Sequence, residues 1–349
     1  MKYMANRKKK KVPTINDIAL KLGVSAATVS RALNDHDDIS ENTKKRVRKM
    51  AEELGYHRNQ IASGLRQRKS NTIGVIVPQL IALFHSTIIT VIQNKLHDHG
   101  YNVLLCQSND SYKLEKEMAE TLFSYRVDGI IAAITLFTEE YDHFQSFIDL
   151  DIPVLFYDRV PIQDFPAHFV VSDDFRGGYL AGSHLADVGV HRPAFICGPL
   201  SCNLYLDRDA GFRHSLKQAN VVLDEKFVFY QELTHENAWE VCRKIFSKEN
   251  PPDGILTAND TSALAVLQYA KENGIDSPED LKIIGYSNDP RSAIVEPAIT
   301  TIDQNIPMMA EAIVNRMLAL MDEDVQVTKK TGKDNADIIG VNLIRRMTT

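Results

Sequence analysis

Residues 14–34, TINDIALKLGVSAATVSRALN, decide how the chain begins to fold. Thr14 can cap a helix in which Ile15, Ile18, Ala19 and Leu22 recur at the three-to-four spacing of one apolar face, and Gly23 ends it. Ser25 is a second cap, opening a short helix from Ala26 to Asn34 with Val29, Ala32 and Leu33 facing inward. Two helices joined by a turn through Gly23 match the helix-turn-helix plan, in which the second helix enters the major groove of DNA. After DHDD at residues 35–38, Ser40 and Glu41 open a third helix to Leu54. Its apolar side carries Val47, Met50, Ala51 and Leu54, and Lys44, Lys45, Arg46, Arg48 and Lys49 are expected outside. Three short amphipathic helices taken alone fit any small bundle.

Charge separates this head from the rest. Residues 1–70 hold 17 Lys and Arg against 7 Asp and Glu, whereas the remaining 279 hold 23 against 39, so the net charge of −6 hides a basic end on an acidic body. That asymmetry suits a nucleic-acid-binding head joined to a body with a different task, the plainer alternative being a solvated basic tail. Residues 1–12, with Lys8, Lys9, Lys10 and Lys11 in a row, show no apolar periodicity and read as a basic disordered tail. With 44% hydrophobic and 25% charged residues, 349 residues suffice for two or three domains. No stretch approaches the roughly eighteen apolar residues of a membrane span, and the amino terminus lacks the apolar core of a secretory signal, so a cytoplasmic protein is expected. Cys106, Cys197, Cys202 and Cys242 form no CxxC pair and read as plain thiols rather than disulfides or metal ligands.

From Asn71 onward apolar strands alternate with amphipathic helices: TIGVIVP (72–78), then a helix from Ile88 to His99; YNVLLC (101–106), then Leu114 to Tyr125; GIIAAI (129–134), then Glu139 to Leu150; and PVLFYD (153–158). The rhythm resumes at PAFICG (193–198), around Val228, at GILTA (254–258) and at LKIIGY (281–286). Strands buried on both faces and separated by helices imply parallel α/β sheets, and about ten of them are too many for one usual sheet, so two Rossmann-like halves are expected. No GxGxxG follows a strand, the glycines of FRGGYLAG (175–182) fall at the wrong offsets, and neither GxxxxGK[ST] nor GxSxG occurs. His97 and His99 close a helix, where solvent exposure is expected. No enzyme, cofactor or metal is expected on these grounds. Polar residues instead end the strands, where open α/β sheets bind ligands. Phe84 and His85 follow the first, Asp158 and Arg159 the fourth, Arg208 opens a helix after GPLSCN, Asn259 and Asp260 end LTAND, and Ser287 and Asn288 end GYSN. All are expected to converge on one cleft.

Residues 14–34 together with ISENTKKRVRKMAEELGYHRNQIASGLR (39–66) closely resemble the amino-terminal head of the lactose-repressor/galactose-repressor (LacI/GalR) family of bacterial regulators. Nearly all of residues 72–345 resembles the effector domain of that family, a relative of periplasmic sugar-binding proteins, through IGVIVP, VDGII, PVLFYDR, AGFR, ANDTSALAVL, IIGYSN and PAITTIDQN. The resemblance implies an all-α helix-turn-helix DNA-binding head (13–57), a hinge helix or linker (58–70), and an α/β two-lobed periplasmic-binding-protein-like (type I) effector and dimerisation domain (71–349).

Within it Ala26, Ala27 and Arg31 take positions that face base edges, and Thr14, Ser25, Thr28, Ser30 and Asn34 positions that contact phosphates. Arg can bond guanine O6 and N7 bidentately whereas alanines offer only methyl contacts, so Arg31 should dominate readout unless it contacts phosphate or pairs on the surface. Residues 59–66 resemble the hinge helix, with Asn59 at its start, Ala62 at the close approach of two copies and Leu65 as the minor-groove wedge. Arg58 stands where the family usually has Pro, and Gly64 weakens the isolated helix; a plain basic linker is the alternative.

The resemblance places Asp158, Arg208, Asn259 and Ser287 where family members contact the effector, with Phe84 and Gln304 as further candidates and His85 beside Phe84. A carboxylate, an amide and a guanidinium hold hydroxyls directionally, as a sugar requires, while the alternative for each residue is a helix cap or loop bond. Ser287 replaces the Asp that some members have after IIGY, and Cys202 and Leu204 replace polar residues of the purine-sensing member, which disfavours a purine corepressor. The carboxyl end, GVNLIRRMTT, carries no leucine heptad, so a homodimer on a pseudo-palindromic double-stranded operator is expected, with no membrane partner. The expected function is a sequence-specific DNA-binding transcriptional regulator, a repressor in type, controlled by a small carbohydrate-like effector. The alternative is a cytoplasmic sugar receptor without a DNA role.

Overall fold

Helix α1 (Ile15–Leu22) begins where the Asp17 carboxylate accepts the Thr14 backbone N–H and hydroxyl, each at 2.7 Å, and Gly23 ends it at φ 67°. The computed structural model describes residues 13–56, 69–81, 83–322 and 336–349, so the Lys8–Lys11 run and the hinge positions Asn59, Ala62 and Leu65 lie outside the described residues. In α2 (Ala26–Leu33) the Ser25 Oγ accepts from the Thr28 amide at 3.0 Å, and in α3 (Glu41–Leu54) Ser40 caps through Thr43. Ile18, Val29 and Val47 are fully buried where the three helices meet, each contributing roughly 1.5–3 kcal/mol relative to exposure. Lys44 departs from the expected outward set. It is 5% exposed, its Nζ lying 3.2 Å from Asp35 and 2.9 Å from Glu41, because Asp35 in the loop before α3 and Glu41 in its first turn draw the ammonium inward.

Residues 71–349 form a second unit with two lobes. The first is built on β1 (Thr72–Val77), β2 (Asn102–Gln107), β3 (Gly129–Ala132), β4 (Val154–Tyr157) and β5 (His168–Ser172), with α4 (Leu83–Asp98), α5 (Tyr112–Ser124) and α6 (Asp142–Ile148) between strands. The chain then crosses through α7 (Asp174–Asp187) to β6 (Pro193–Cys197), α8 (Asn203–Gln218), β7 (Val228–Tyr230), α9 (His235–Phe246), β8 (Gly254–Thr257), α10 (Asp260–Glu272), β9 (Lys282–Tyr286), α11 (Pro290–Ile294) and β10 (Thr300–Asp303). It returns as α12 (Ile306–Met321) and β11 (Asp337–Ile339) on the first sheet, and ends with β12 (Asn342–Ile344) on the second.

The sheet orders are β11-β5-β4-β3-β1-β2 and β12-β10-β9-β8-β6-β7, parallel throughout except for β12 against β10. Apolar clusters cover both faces of both sheets: Ile88, Ile92, Met309 and Ile313 pack on one side of the first, and Leu122, Phe144 and Phe147 on the other. Three connections join the lobes, after Ser172, after Asp303 and at Gly340.

The described residues contain twelve strands rather than about ten; β11 and β12 are three residues long, too short for a periodic signal. Helix α4 starts at Leu83, five residues before the expected Ile88, which puts Phe84 and His85 in its first turn. The α6 helix is shorter than 139–150, and Arg208 sits in the second turn of α8 rather than opening it. FRGGYLAG is helical, and its glycines serve packing: a Cβ on Gly178 would lie 2.1 Å from the Arg208 carbonyl oxygen, just as one on Gly211 of the facing α8 would lie 2.0 Å from that of Phe175.

Candidate functional site

On α2 the periodicity that buries Val29 and Ala32 turns Ala27, Arg31 and Asn34 outward as one exposed stripe, with Ala26, Thr28 and Ser30 half-buried beside it. Arg31 Nη1 lies 3.9 Å from Asp38 Oδ2 with both side chains more than half exposed, a loose pair worth little that leaves the guanidinium able to reach elsewhere. Ser25 and Thr28 hydroxyls lie 2.9 Å apart at the start of α2, and Asn34 Nδ2 donates to the Ser30 carbonyl at 2.8 Å. Thr14 and Ser25 therefore act as helix starts, at the N-termini of α1 and α2.

In the body, strand order reverses between β1 and β3 and again between β6 and β8. The two reversals face each other across a cavity of about 550 Å3 at the carboxyl ends of the strands. Phe84, His85, Asp158, Arg208, Asn259, Ser287 and Gln304 all line it. They arrive from both lobes: α4, the end of β4, α8, the cap of α10, the end of β9 and the crossing after β10.

Each has a defined setting. Asp158 is buried at φ 58°, a left-handed conformation that Asp tolerates better than most residues, and burial raises its pKa while Arg208 and Arg159 pull it down. Arg208, 4% exposed, donates from Nε to Asp174 Oδ1 at 2.8 Å and from Nη1 to the Ala258 carbonyl at 2.7 Å, its guanidinium 3.6 Å from the Tyr286 ring centre. Burial pushes Asp174 up to about 6, with Arg208 opposing. Ser287 Oγ donates to Gln304 Oε1 at 2.8 Å, and Gln304 Nε2 donates to Ser172 Oγ at 3.3 Å, so the end of β9 and two of the lobe crossings share one chain of bonds. Asn259 caps α10 through the Ser262 amide and donates to the Leu233 carbonyl; the helix-cap alternative describes its side chain, although it also lines the cavity. His85 Nδ1 lies 3.2 Å from the Tyr157 hydroxyl, and burial pushes the imidazole down to about 3, so it is neutral near pH 7.

Two strand-end residues do not join the cleft. Asp260 accepts from Thr301 Oγ1 and the Asp289 amide beneath α10, and Asn288 Oδ1 accepts from Arg346. Others belong to it without being singled out. Asp110, in the loop after β2, pairs with Arg159 at 2.5 Å and accepts the Leu136 amide. Phe137, after β3, is half-exposed at the cavity wall, and its neighbour Leu136 packs among residues of the second lobe. Asn203 is buried between lobes, accepting the Val160 amide and donating to the Asp158 carbonyl, both at 2.9 Å. The polar run after β2 carried the same strand-end signal as Asp158, whereas Leu136, Phe137 and Asn203 carried none. His97 and His99 are exposed, and the described residues contain no cluster able to hold a metal. No helix among them is long and apolar enough to cross a membrane.

Residues 14–59 match the model of bacterial regulatory proteins, lacI family, and residues 183–349 match the periplasmic binding protein-like domain. The chain is 31% identical to the HTH-type transcriptional repressor PurR of Vibrio vulnificus (strain CMCP6) over 83% of its own length and 86% of that protein. It is also 31% identical to the ribose operon repressor of Bacillus subtilis (strain 168), over 96% and 98% of the two chains. A solved structure of the lac repressor bound to ONPG in the repressed state superposes with a TM-score of 0.82 at 25% identity, covering 97% of this chain and all of the other.

Proposed function

The chain belongs to the lacI family of bacterial regulatory proteins and is a DNA-binding transcriptional regulator; from that premise we propose that a small carbohydrate in the cleft sets its affinity for a pseudo-palindromic operator. The observation that carries this reading is the convergence of Phe84, His85, Asp158, Arg208, Asn259, Ser287 and Gln304 on one cavity walled by both lobes. A ligand bonded to Asp158 and Arg208 at once favours one lobe arrangement over another, and only such a difference can shift DNA affinity. Arg208 gives Nε to Asp174 and an Nη1–H to the Ala258 carbonyl, and the same guanidinium lines the cavity, where its remaining N–H groups can donate to hydroxyls. Phe84 supplies a face for the apolar side of a ring. A sugar also accords with the relatives, one a ribose operon repressor and one a lac repressor bound to ONPG. Those relatives are regulators, and the cleft is read as binding its ligand without turning it over.

In the head, Arg31 reads a guanine while Ala26 and Ala27 make methyl contacts, and Thr14, Ser25, Thr28, Ser30 and Asn34 fix register on phosphates. Two copies act together, each head on one half-site, with Leu65 prying open the central step from the hinge at residues 58–70. A receptor with no DNA role leaves the helix-turn-helix head without a task. The test is an electrophoretic mobility shift of genomic fragments by the full chain and by residues 71–349 alone. Shifts by the full chain only, relieved or strengthened by a sugar, support the proposal; a shift by the body alone removes the head from it.

A further inference from the structure

Resting on the reading of the cleft as a carbohydrate receptor, we infer that its ligand is an uncharged polyhydroxylated molecule and that phosphorylated or carboxylated sugars are rejected. The charges around the cavity carry this. Three guanidinium groups line it, and each already holds a protein carboxylate: Arg159 with Asp110 at 2.5 Å, Arg208 with Asp174 at 2.8 Å, and Arg291 with Asp289 at 2.7 Å. No lysine lines the cavity among the described residues. Asp158, Glu232 and Glu236 also line it, and none has a cation within ion-pairing distance among the described residues. Six carboxylates thus meet three guanidinium groups. Even with Asp158 protonated, as its burial favours, two negative charges stay uncompensated.

Helix ends do not reverse that sign. The first turns of α4, α8, α9 and α10 reach the cavity through Phe84, His85, Leu204, Tyr205, His235 and Thr261, and such termini act as roughly half a positive charge each, which at most offsets Glu232 and Glu236. They supply N–H donors that suit hydroxyls. A phosphate monoester brings a charge of about −1.5 to −2 at pH 7, and every guanidinium it could reach here is already neutralised by a protein carboxylate, so its charge would go uncompensated beside Glu232 and Glu236. A neutral sugar needs no such exchange: Asp158 accepts from its hydroxyls, Arg208 donates to them, and Phe84, Phe137 and Tyr205 offer ring faces to its C–H surface.

Titration calorimetry on the full chain tests this with matched probes: glucose and glucose 6-phosphate, ribose and ribose 5-phosphate, glucose and glucuronate, together with maltose, cellobiose and the nucleobases guanine and hypoxanthine. The expected result is binding of at least one neutral sugar, with its charged counterpart at least tenfold weaker, equivalent to about 1.4 kcal/mol. Combining Glu232→Gln with Glu236→Gln should then narrow that gap. A phosphorylated or carboxylated sugar that binds as tightly as its neutral parent overturns the inference and leaves the carbohydrate reading intact. Binding of a nucleobase alone, or of no probe, overturns the carbohydrate reading and the inference with it.

Discussion

Arg208→Met should destabilise the effector domain in a way that depends on pH. Arg208 and Asp174 are 4% and 3% exposed and lie 2.8 Å apart, and the Tyr286 hydroxyl donates to the same Asp174 oxygen at 2.9 Å. Removing one partner of a buried ion pair costs about 3–5 kcal/mol, because the other charge stays in a place water cannot reach. For a domain of this size that corresponds to a fall in Tm on the order of 10 °C.

The dependence on pH follows from Asp174. Burial raises its pKa to about 6 in the folded chain, above the ordinary carboxylate value, even with Arg208 opposing the rise. A group with a raised folded pKa contributes stability that is complete below its unfolded pKa and lost as pH climbs through the folded one. Without Arg208 that folded pKa rises further, so Asp174 takes up a proton near pH 5 and the deficit against the parent is small there. At pH 8 the parent carboxylate is ionised and paired, whereas the variant must bury it unpaired or hold a proton against the solvent, and the deficit is larger. Adding Asp174→Asn removes the charge and should recover a large part of the loss, while the guanidinium that faces the ligand is still absent. Scanning calorimetry of parent, single and double variants at pH 5 and pH 8 supplies the numbers. An equal Tm loss at both pH values, or no recovery in the double variant, refutes the reasoning.

Three other perturbations have definite outcomes. Arg31→Ala should cost roughly 1–3 kcal/mol on the operator and relax preference at one base pair of each half-site, measured by competition with single-base variants; uniform weakening across sequences would mark a phosphate contact instead. Leu65→Ala should lower operator affinity and DNA bending together, while salt-dependent binding to random duplex changes little; fluorescence transfer across the site reads the bend, and parental bending rules out the wedge. Gly211→Ala places a methyl group 2.0 Å from the Phe175 carbonyl and forces α7 and α8 apart, so Tm should fall as expected of about 1–3 kcal/mol of overpacking; a parental Tm contradicts the close helix contact.

The head was legible because three features of its sequence agree: a 3.6-residue apolar period, a Thr or Ser before each helix, and Gly23 at the turn. Lys44 escaped because periodicity reports which way a side chain leaves its own helix, whereas its burial depends on Asp35 nine residues away. In the body, apolar runs such as TIGVIV announce strands buried on both faces, and a polar residue at the end of such a run is a visible break. Asp158 and Ser287 stood out for that reason, although Ser287 bonds within the protein through Gln304. Leu136 and Phe137 follow Thr135, between the strand read at GIIAAI and the helix after it, where neither period nor charge marks them; only the opposing lobe distinguishes Leu136. Asn203 reads as one more loop amide until the loop at Asp158 and Val160 is brought against it. Arg208 was identified as a residue but not in its setting, since its partner Asp174 lies 34 positions earlier.

The central claim is that occupancy of the cleft changes affinity for DNA. Its most direct test is fluorescence anisotropy of an operator duplex, selected from a random library by the full chain, with and without a neutral sugar that calorimetry has shown to bind. The comparison protein is Asp158→Asn, which removes the carboxylate and keeps a residue that tolerates φ 58°. The account predicts a change in operator affinity of tenfold or more in the parent, about 1.4 kcal/mol of coupling, and almost none in Asp158→Asn at the same sugar concentration. A sugar that demonstrably fills the cleft of the parent and leaves its operator affinity unchanged would contradict it.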